Sequence, residues 1–221
     1  MKTQDSFLWA LAIVISLGSM CTAAGETAEK PSSFEVVIHE DWPSAIFHVT
    51  RAPGSETYWT VNAYWQGDGR SFQEWTVGPQ QSAPTGSNYF GLLDMNFDGY
   101  QDVRIPSWQG ATGNFGYSVW VFEPRKREFV FHEGLSSLQG PRFDHEKEEI
   151  HTLSKGGHAG AIYTKGTWKF VDGELVQVEE ERQRYVDEED HYVKVLRKRV
   201  DGELREVSRM TVRDGSGEQQ E

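Results

Sequence analysis

Cysteine is nearly absent: Cys21 is the only thiol among 221 residues. A disulfide framework is therefore excluded, and stability must come from a packed core, cross-strand aromatic pairs or a bound metal. Positive charge is also scarce, with 22 Lys and Arg against 34 Asp and Glu and a net charge of −12. Such a surplus repels phosphate backbones and anionic lipid, and no concentrated basic face offsets it. Nucleic-acid and membrane-surface roles are disfavoured, and a basic protein partner or a cation suits the chain better. There is no Gly-rich phosphate loop, no GxSxG elbow and no nucleophile with a recognisable base. A carboxylate pair for glycoside hydrolysis is always available among so many acids, but no constellation marks one, and the chain is expected not to be an enzyme.

Long apolar runs are missing too. The longest, FLWALAIVISL over 7–17, follows Lys2 and precedes the small residues of CTAAG. It is too short to span a bilayer comfortably and has the parts of a secretory signal peptide over 1–24. Cleavage after Ala24 would leave no thiol; lipidation at Cys21 is the alternative. The expectation is an exported protein, periplasmic or secreted, with no membrane span after cleavage. Polar residues 25–33 read as a flexible N-terminal segment, 34–213 as a single domain and 214–221 as a disordered tail.

What is present is aromatic and β-branched: 12 Phe, 8 Trp and 8 Tyr. FEVVI (34–38), AIFHV (45–49), YWTVNAYW (58–65), FQEWTV (72–77), NYFGLLD (88–94), DVRIP (102–106), YSVWVF (117–122) and EFVFH (128–132) are β-branched and aromatic runs separated by turn residues, the signal of strands. In YWTVNAYW, alternation places Trp59, Val61, Ala63 and Trp65 on the better core face. TWKFVDGELVQV (167–178) and VLRKRVDGELREV (195–207) each set Asp-Gly between alternating arms, the signal of a tight hairpin. Their shared VDGEL recurs at a 29-residue offset, by unit repetition or by turn chemistry. Outside the leader no stretch keeps a helical period. HEKEEIHTL (145–153) and EEERQRYVDEED (179–190) are charged without an apolar stripe and read as solvated strand ends or loops. The expected class is all-β: a compact, propeller-like arrangement of antiparallel hairpins, with sandwich and barrel as relatives of that pattern.

One segment carries chemistry. DMNFDGYQD (94–102) places Asp94, Asn96, Asp98 and Asp102 at loop positions 1, 3, 5 and 9, with Gly99 at position 6. Alternate residues of a curved loop point inward together, and the Tyr100 carbonyl adds an oxygen, so the set suits one hard calcium ion. Ile105 stands where an EF-hand has its bidentate Glu, and the flanks are strand-like. The expectation is a structural, non-catalytic calcium clip between strands; the alternative is an Asp/Asn/Gly turn that holds no metal.

This loop resembles the DxDxDG loops of FG-GAP and VCBS-type β-propeller repeats. The wider pattern is similar to exported Gram-negative proteins related to FG-GAP repeats, over about residues 88–178. In these a DxNFDGYxD loop precedes an aromatic strand pair, a leucine-bearing LSSL (135–138) and a final hairpin. The resemblance implies a calcium-stabilised, propeller-like fold, and some members are periplasmic immunity proteins that inhibit lysozyme-like, peptidoglycan-cleaving toxins. LSKGGHAGAIYTKG (153–166) is loosely similar to the Ser- and Gly-bearing loop with which some lysozyme inhibitors enter the enzyme cleft. It nominates Ser154, Lys155, His158 and Tyr163 as partner-binding residues, against a plain flexible hairpin connection. Exposed aromatics among Tyr58, Trp59, Tyr64, Trp65, Trp75, Trp108, Tyr117 and Trp120 leave a glycan or peptidoglycan-binding module as the alternative, with cross-strand packing as their simpler use. His145 and His151 share an acidic segment but lack the spacing of a helical metal pair.

Overall fold

A computed structural model describes residues 32–78 and 90–212. The leader, residues 25–31, Asn88 and Tyr89 of the strand expected over 88–94, and the 214–221 tail lie outside the described residues. The first sheet is a meander of β1 (Ser32–Val36), β2 (Ala45–Arg51), β3 (Trp59–Trp65) and β4 (Ser71–Val77). The second comprises β5 (Gly91–Leu93), β6 (Asp102–Gln109), β7 (Phe115–Glu123) and β8 (Glu128–Phe131). A single helical turn, α1 (Glu133–Ser136), leads to the third sheet: β9 (Arg142–Asp144), β10 (Glu149–Lys155), β11 (Tyr163–Val171), β12 (Glu174–Val186), β13 (His191–Val200) and β14 (Glu203–Val212). Every pairing is antiparallel between chain neighbours. The class is therefore all-β, in three antiparallel sheets.

Side-chain alternation explains the layering. In β3, Trp59, Val61, Ala63 and Trp65 are buried while Thr60, Asn62 and Tyr64 are half-buried on the other face. The second sheet is apolar on both faces. Val103, Ile105, Phe122 and Phe129 join the first sheet in one core, whereas Val119 and Val121 join Leu135, Ile150, Trp168 and Phe170 in another. It is thus the middle layer. Its outer strand is tied to β4 by Gln73, whose Nε2 donates to the Phe129 carbonyl at 2.6 Å and whose Oε1 accepts from the Phe129 N–H at 2.7 Å. One side-chain amide stands in for a missing strand partner.

Both Asp-Gly sites are hairpin turns. Asp172 and Gly173 have φ of 52° and 83°, and Asp201 and Gly202 of 51° and 84°, the left-handed pair that matches the twist of antiparallel strands. The VDGEL recurrence belongs to two hairpins of one six-stranded meander. The first strand opens at Ser32, inside the polar segment 25–33, because Ser32 and Ser33 pair with Val49 and His48 at the edge of the sheet. Residues 145–148 form the β9–β10 turn, and 179–186 lie within β12. The sequence did not mark α1, whose N-terminus is capped by His132 Nδ1 accepting from the Leu135 N–H.

Candidate metal centre and partner loop

The Asp94–Asp102 loop joins β5 to β6, so strands flank it on both sides. Its polar side chains organise its own backbone. Asp94 accepts from the N–H groups of Asp98 at 3.1 Å and Gly99 at 2.8 Å; Asp98 accepts from Tyr100 N–H at 2.9 Å and from the Asn96 side-chain amide at 2.9 Å. Gly99 has φ of 91°, the conformation only glycine adopts without strain. Phe97 shares the left-handed region at 63° despite its Cβ. Its ring packs against the second core and meets the His145 ring edge-on at 5.3 Å. His145 Nε2 lies 2.8 Å from the Asp94 carbonyl oxygen, tying the β9–β10 turn to this loop. Tyr100 is packed among His39, Trp42 and Phe122. These long-range ties have no signature in the loop motif.

Asp102 differs from its companions. It is fully buried, and its two oxygens accept from the Met95 N–H at 2.7 Å and the Phe122 N–H at 2.9 Å. One carboxylate thus joins the start of the loop to the C-terminal end of β7. Burial pushes its pKa up to about 7, with the Asp98 and Asp94 charges adding to the rise. Burial, with Asp98 next among the raising effects, also lifts Asp94. The donor set fits a hard dication: three carboxylates and an amide oxygen, with Asp94 raised in part by the Asp98 charge and Asp102 in part by Asp98 and Asp94, a like-charge burden that a cation relieves. Each oxygen that holds an N–H retains a lone pair for such an ion. Among the described residues, no three His, Cys, Asp or Glu side chains already converge as a metal cage; these oxygens are held by the loop's own amides and, for Asp102, by the Phe122 N–H of β7 as well.

The raised Asp102 pKa has a signed consequence. Between the unfolded value of 3.8 and the folded value of about 7, the native state binds more protons than the unfolded chain. Stability therefore falls as pH rises through that window. In chelator, the urea midpoint is expected to drop from pH 5 to pH 8. Excess calcium, which favours the ionised carboxylate, should flatten that dependence, and Asp102→Asn should remove the contribution of this group. A midpoint in chelator that rises over the same interval would contradict the assignment.

The second candidate is dispersed over two strands and a loop. Ser154 and Lys155 end β10, Tyr163 opens β11, and His158 lies between them. His158, Ala159 and Gly160 have φ of 54°, 54° and 92°, and each non-glycine there costs about 1–3 kcal/mol. The loop is pinned despite this strain. His158 Nδ1 is 2.9 Å from the Tyr192 hydroxyl, Gln183 Nε2 donates to the Ala161 carbonyl at 2.8 Å, and the Asn114 side chain bonds both the N–H and C=O of Lys155 at 2.7 Å. Tyr163 donates to Glu181 at 2.8 Å; burial, then that carboxylate, holds its phenol above the usual range. Lys155 and Tyr163 are opposed on one face of the β10–β11 pair whereas Ser154 lies on the other, so the four nominated residues do not share one surface. His145 and His151 also have separate roles, the latter near Glu149 at 3.5 Å. Of the aromatics, Trp59, Trp65 and Trp75 are core, while Tyr58 and Trp108 are each 43% exposed.

No protein-family model matches the chain, and no curated protein matches it. Two solved chains match. One is described as the structure of a Xanthomonas type IV secretion system related protein. It is 20% identical, with a TM-score of 0.51 over 81% of this chain and the whole of that one. The two share a fold.

Proposed function

We propose that this chain is an exported, calcium-stabilised binding protein that inhibits a peptidoglycan-cleaving, lysozyme-like enzyme, as a periplasmic immunity protein does. The observation that carries the reading is the 156–162 loop. Strained residues held in place by bonds to Tyr192, Gln183 and Asn114 make a rigid presentation, and a loop already in its bound shape loses little entropy on docking. His158 offers an imidazole and Lys155 an ammonium, donors suited to catalytic carboxylates. The fold relative's description as secretion-system related supports an export context, and the net charge of −12 would speed encounter with a basic enzyme. Under this reading the three meanders are stacked in a propeller-like manner, and the 94–102 loop is related to FG-GAP calcium loops, with Asp94, Asn96, Asp98, Asp102 and the Tyr100 carbonyl as ligands.

The test is turbidimetric assay of lysozyme-type muramidases, including any encoded beside this chain, with the purified protein in calcium. Stoichiometric inhibition is expected. His158→Ala should weaken it about tenfold, roughly the 1.4 kcal/mol of one polar contact. Failure to inhibit any of them would reject the role. The alternative, a cell-wall glycan module, is favoured by one observation: Trp108 and Phe115 remain exposed at the tip of the β6–β7 hairpin.

A further inference from the structure

We propose that the open face of the third sheet is a binding cleft for a carboxylate-bearing saccharide. The cleft has a volume of about 430 Å³ and is lined by Arg142, His151, Lys165, Thr167, Glu179 and Glu181. The strand register places Arg142 opposite His151, His151 opposite Thr167, Thr167 opposite Glu179 and Glu179 opposite Lys198. A straight row of polar groups therefore crosses five strands, roughly 19 Å at the usual strand spacing. That length suits a short linear oligomer laid across the strands.

The chemistry of the row narrows the occupant. Across β9 to β13 the register puts Arg142, Lys155, Lys165, Lys169, Lys194 and Lys198 on the same face as Asp144, Glu149, Glu174, Glu179 and Glu181, so the two signs are nearly balanced here although the whole chain is strongly acidic. Four of these lysines are already paired: Lys169 with Glu149 at 3.1 Å, Lys165 and Lys194 with Glu181 at 3.1 and 3.3 Å, and Lys198 with Glu179 at 3.1 Å. The Arg142 guanidinium has no ion pair or hydrogen bond among the described residues. An apolar ligand would strip water from these charges without compensation, a polyanion would meet five carboxylates, and a polycation would meet six cations. A hydroxyl-rich chain satisfies His151, Thr167 and the glutamates as donor and acceptor together, and an isolated carboxylate on it takes the bidentate fork of Arg142.

An apolar platform borders the same cleft. Phe115 is 38% exposed. Its carbonyl accepts from the Gly140 N–H at 2.9 Å, and a Cβ placed on Gly140, which lines the cleft, would lie 3.8 Å from its ring. The ring is therefore at the rim, available to stack on a pyranose face. The paired bonds from Asn114 to Lys155 hold this hairpin tip against β10.

Titration calorimetry on the full chain in calcium tests the site. The probes are the peptidoglycan tetrasaccharide of alternating N-acetylglucosamine and N-acetylmuramic acid, and chitotetraose, which has the same length without carboxylates. The acidic tetrasaccharide is expected to bind at least tenfold more tightly. Arg142→Gln, an exposed change that leaves melting unaltered, should abolish that difference, and Phe115→Ala should weaken both probes several-fold. Equal affinity for the two probes, no binding at millimolar concentration, or an unaffected Arg142→Gln protein would each overturn the proposal. Muramidase inhibition measured on the same variants is a separate readout. Inhibition that survives Arg142→Gln while discrimination is lost sustains both readings, and absent inhibition with intact discrimination rejects only the inhibitor role.

Discussion

Asp102→Ala is expected to destabilise the protein by about 3–5 kcal/mol, more than the same change at Asp94 or Asp98. Its carboxylate is the acceptor for two buried donors, the Met95 N–H and the Phe122 N–H, and alanine leaves both unsatisfied where water does not reach. A void of side-chain size adds to the loss. Met95 anchors one core and Phe122 the other, so losing the bridge between them loosens the middle sheet from both sides. For a domain of this size the melting temperature should fall by roughly 10 °C. Asp102→Asn keeps one acceptor oxygen but turns an N–H against the second donor, and should fall between alanine and the parent. Urea denaturation in chelator measures both without calcium entering. A loss below about 1 kcal/mol for alanine would show that the two amides find other partners.

Calcium is expected to produce the second largest effect, of opposite sign. An ion present at ~100 times its dissociation constant adds about 2.7 kcal/mol, roughly 5–10 °C in melting temperature. The driving force is visible in the carboxylates themselves: Asp94 and Asp102 are held above their ordinary pKa by burial and by neighbouring negative charge, and a dication removes the like-charge part. Without a bidentate Glu at the last position, the dissociation constant should lie at about 10⁻⁵ to 10⁻³ M. Asp98→Ala separates ion binding from folding. Asp98 is exposed and bonds only within the loop, so the variant should melt within about 1 kcal/mol of the parent in chelator and gain nothing from calcium. Parent and variant rising equally on calcium addition, or neither rising, would remove the ion from the account. Magnesium, which demands tighter octahedral geometry, should be a poor substitute.

Much of the architecture follows from local pattern. Alternation in YWTVNAYW correctly marked Trp59, Val61, Ala63 and Trp65 as the inward face, because a strand has only two faces and one must leave water. Asp172-Gly173 and Asp201-Gly202 marked two hairpins, because few residue pairs tolerate positive φ in succession. The spacing of oxygens over 94–102 pointed to a cation loop, and in the fold those side chains bond backbone amides of the loop and of β7.

Tertiary structure decided what spacing cannot encode. Asp102 looks like one more loop acid, yet it is a buried clamp whose second partner, Phe122, lies twenty residues away. Gln73 closes a sheet edge 56 residues distant, and His145 grips the loop from the third sheet. The row from Arg142 to Lys198 exists only because five strands of different length share one register. Secondary structure is set by dihedral preference and period, which neighbouring residues carry. The charge state of a carboxylate, the strain a loop can bear and the groups that meet across a sheet depend on desolvation and on contacts between segments remote in sequence, and these arise only when the layers pack.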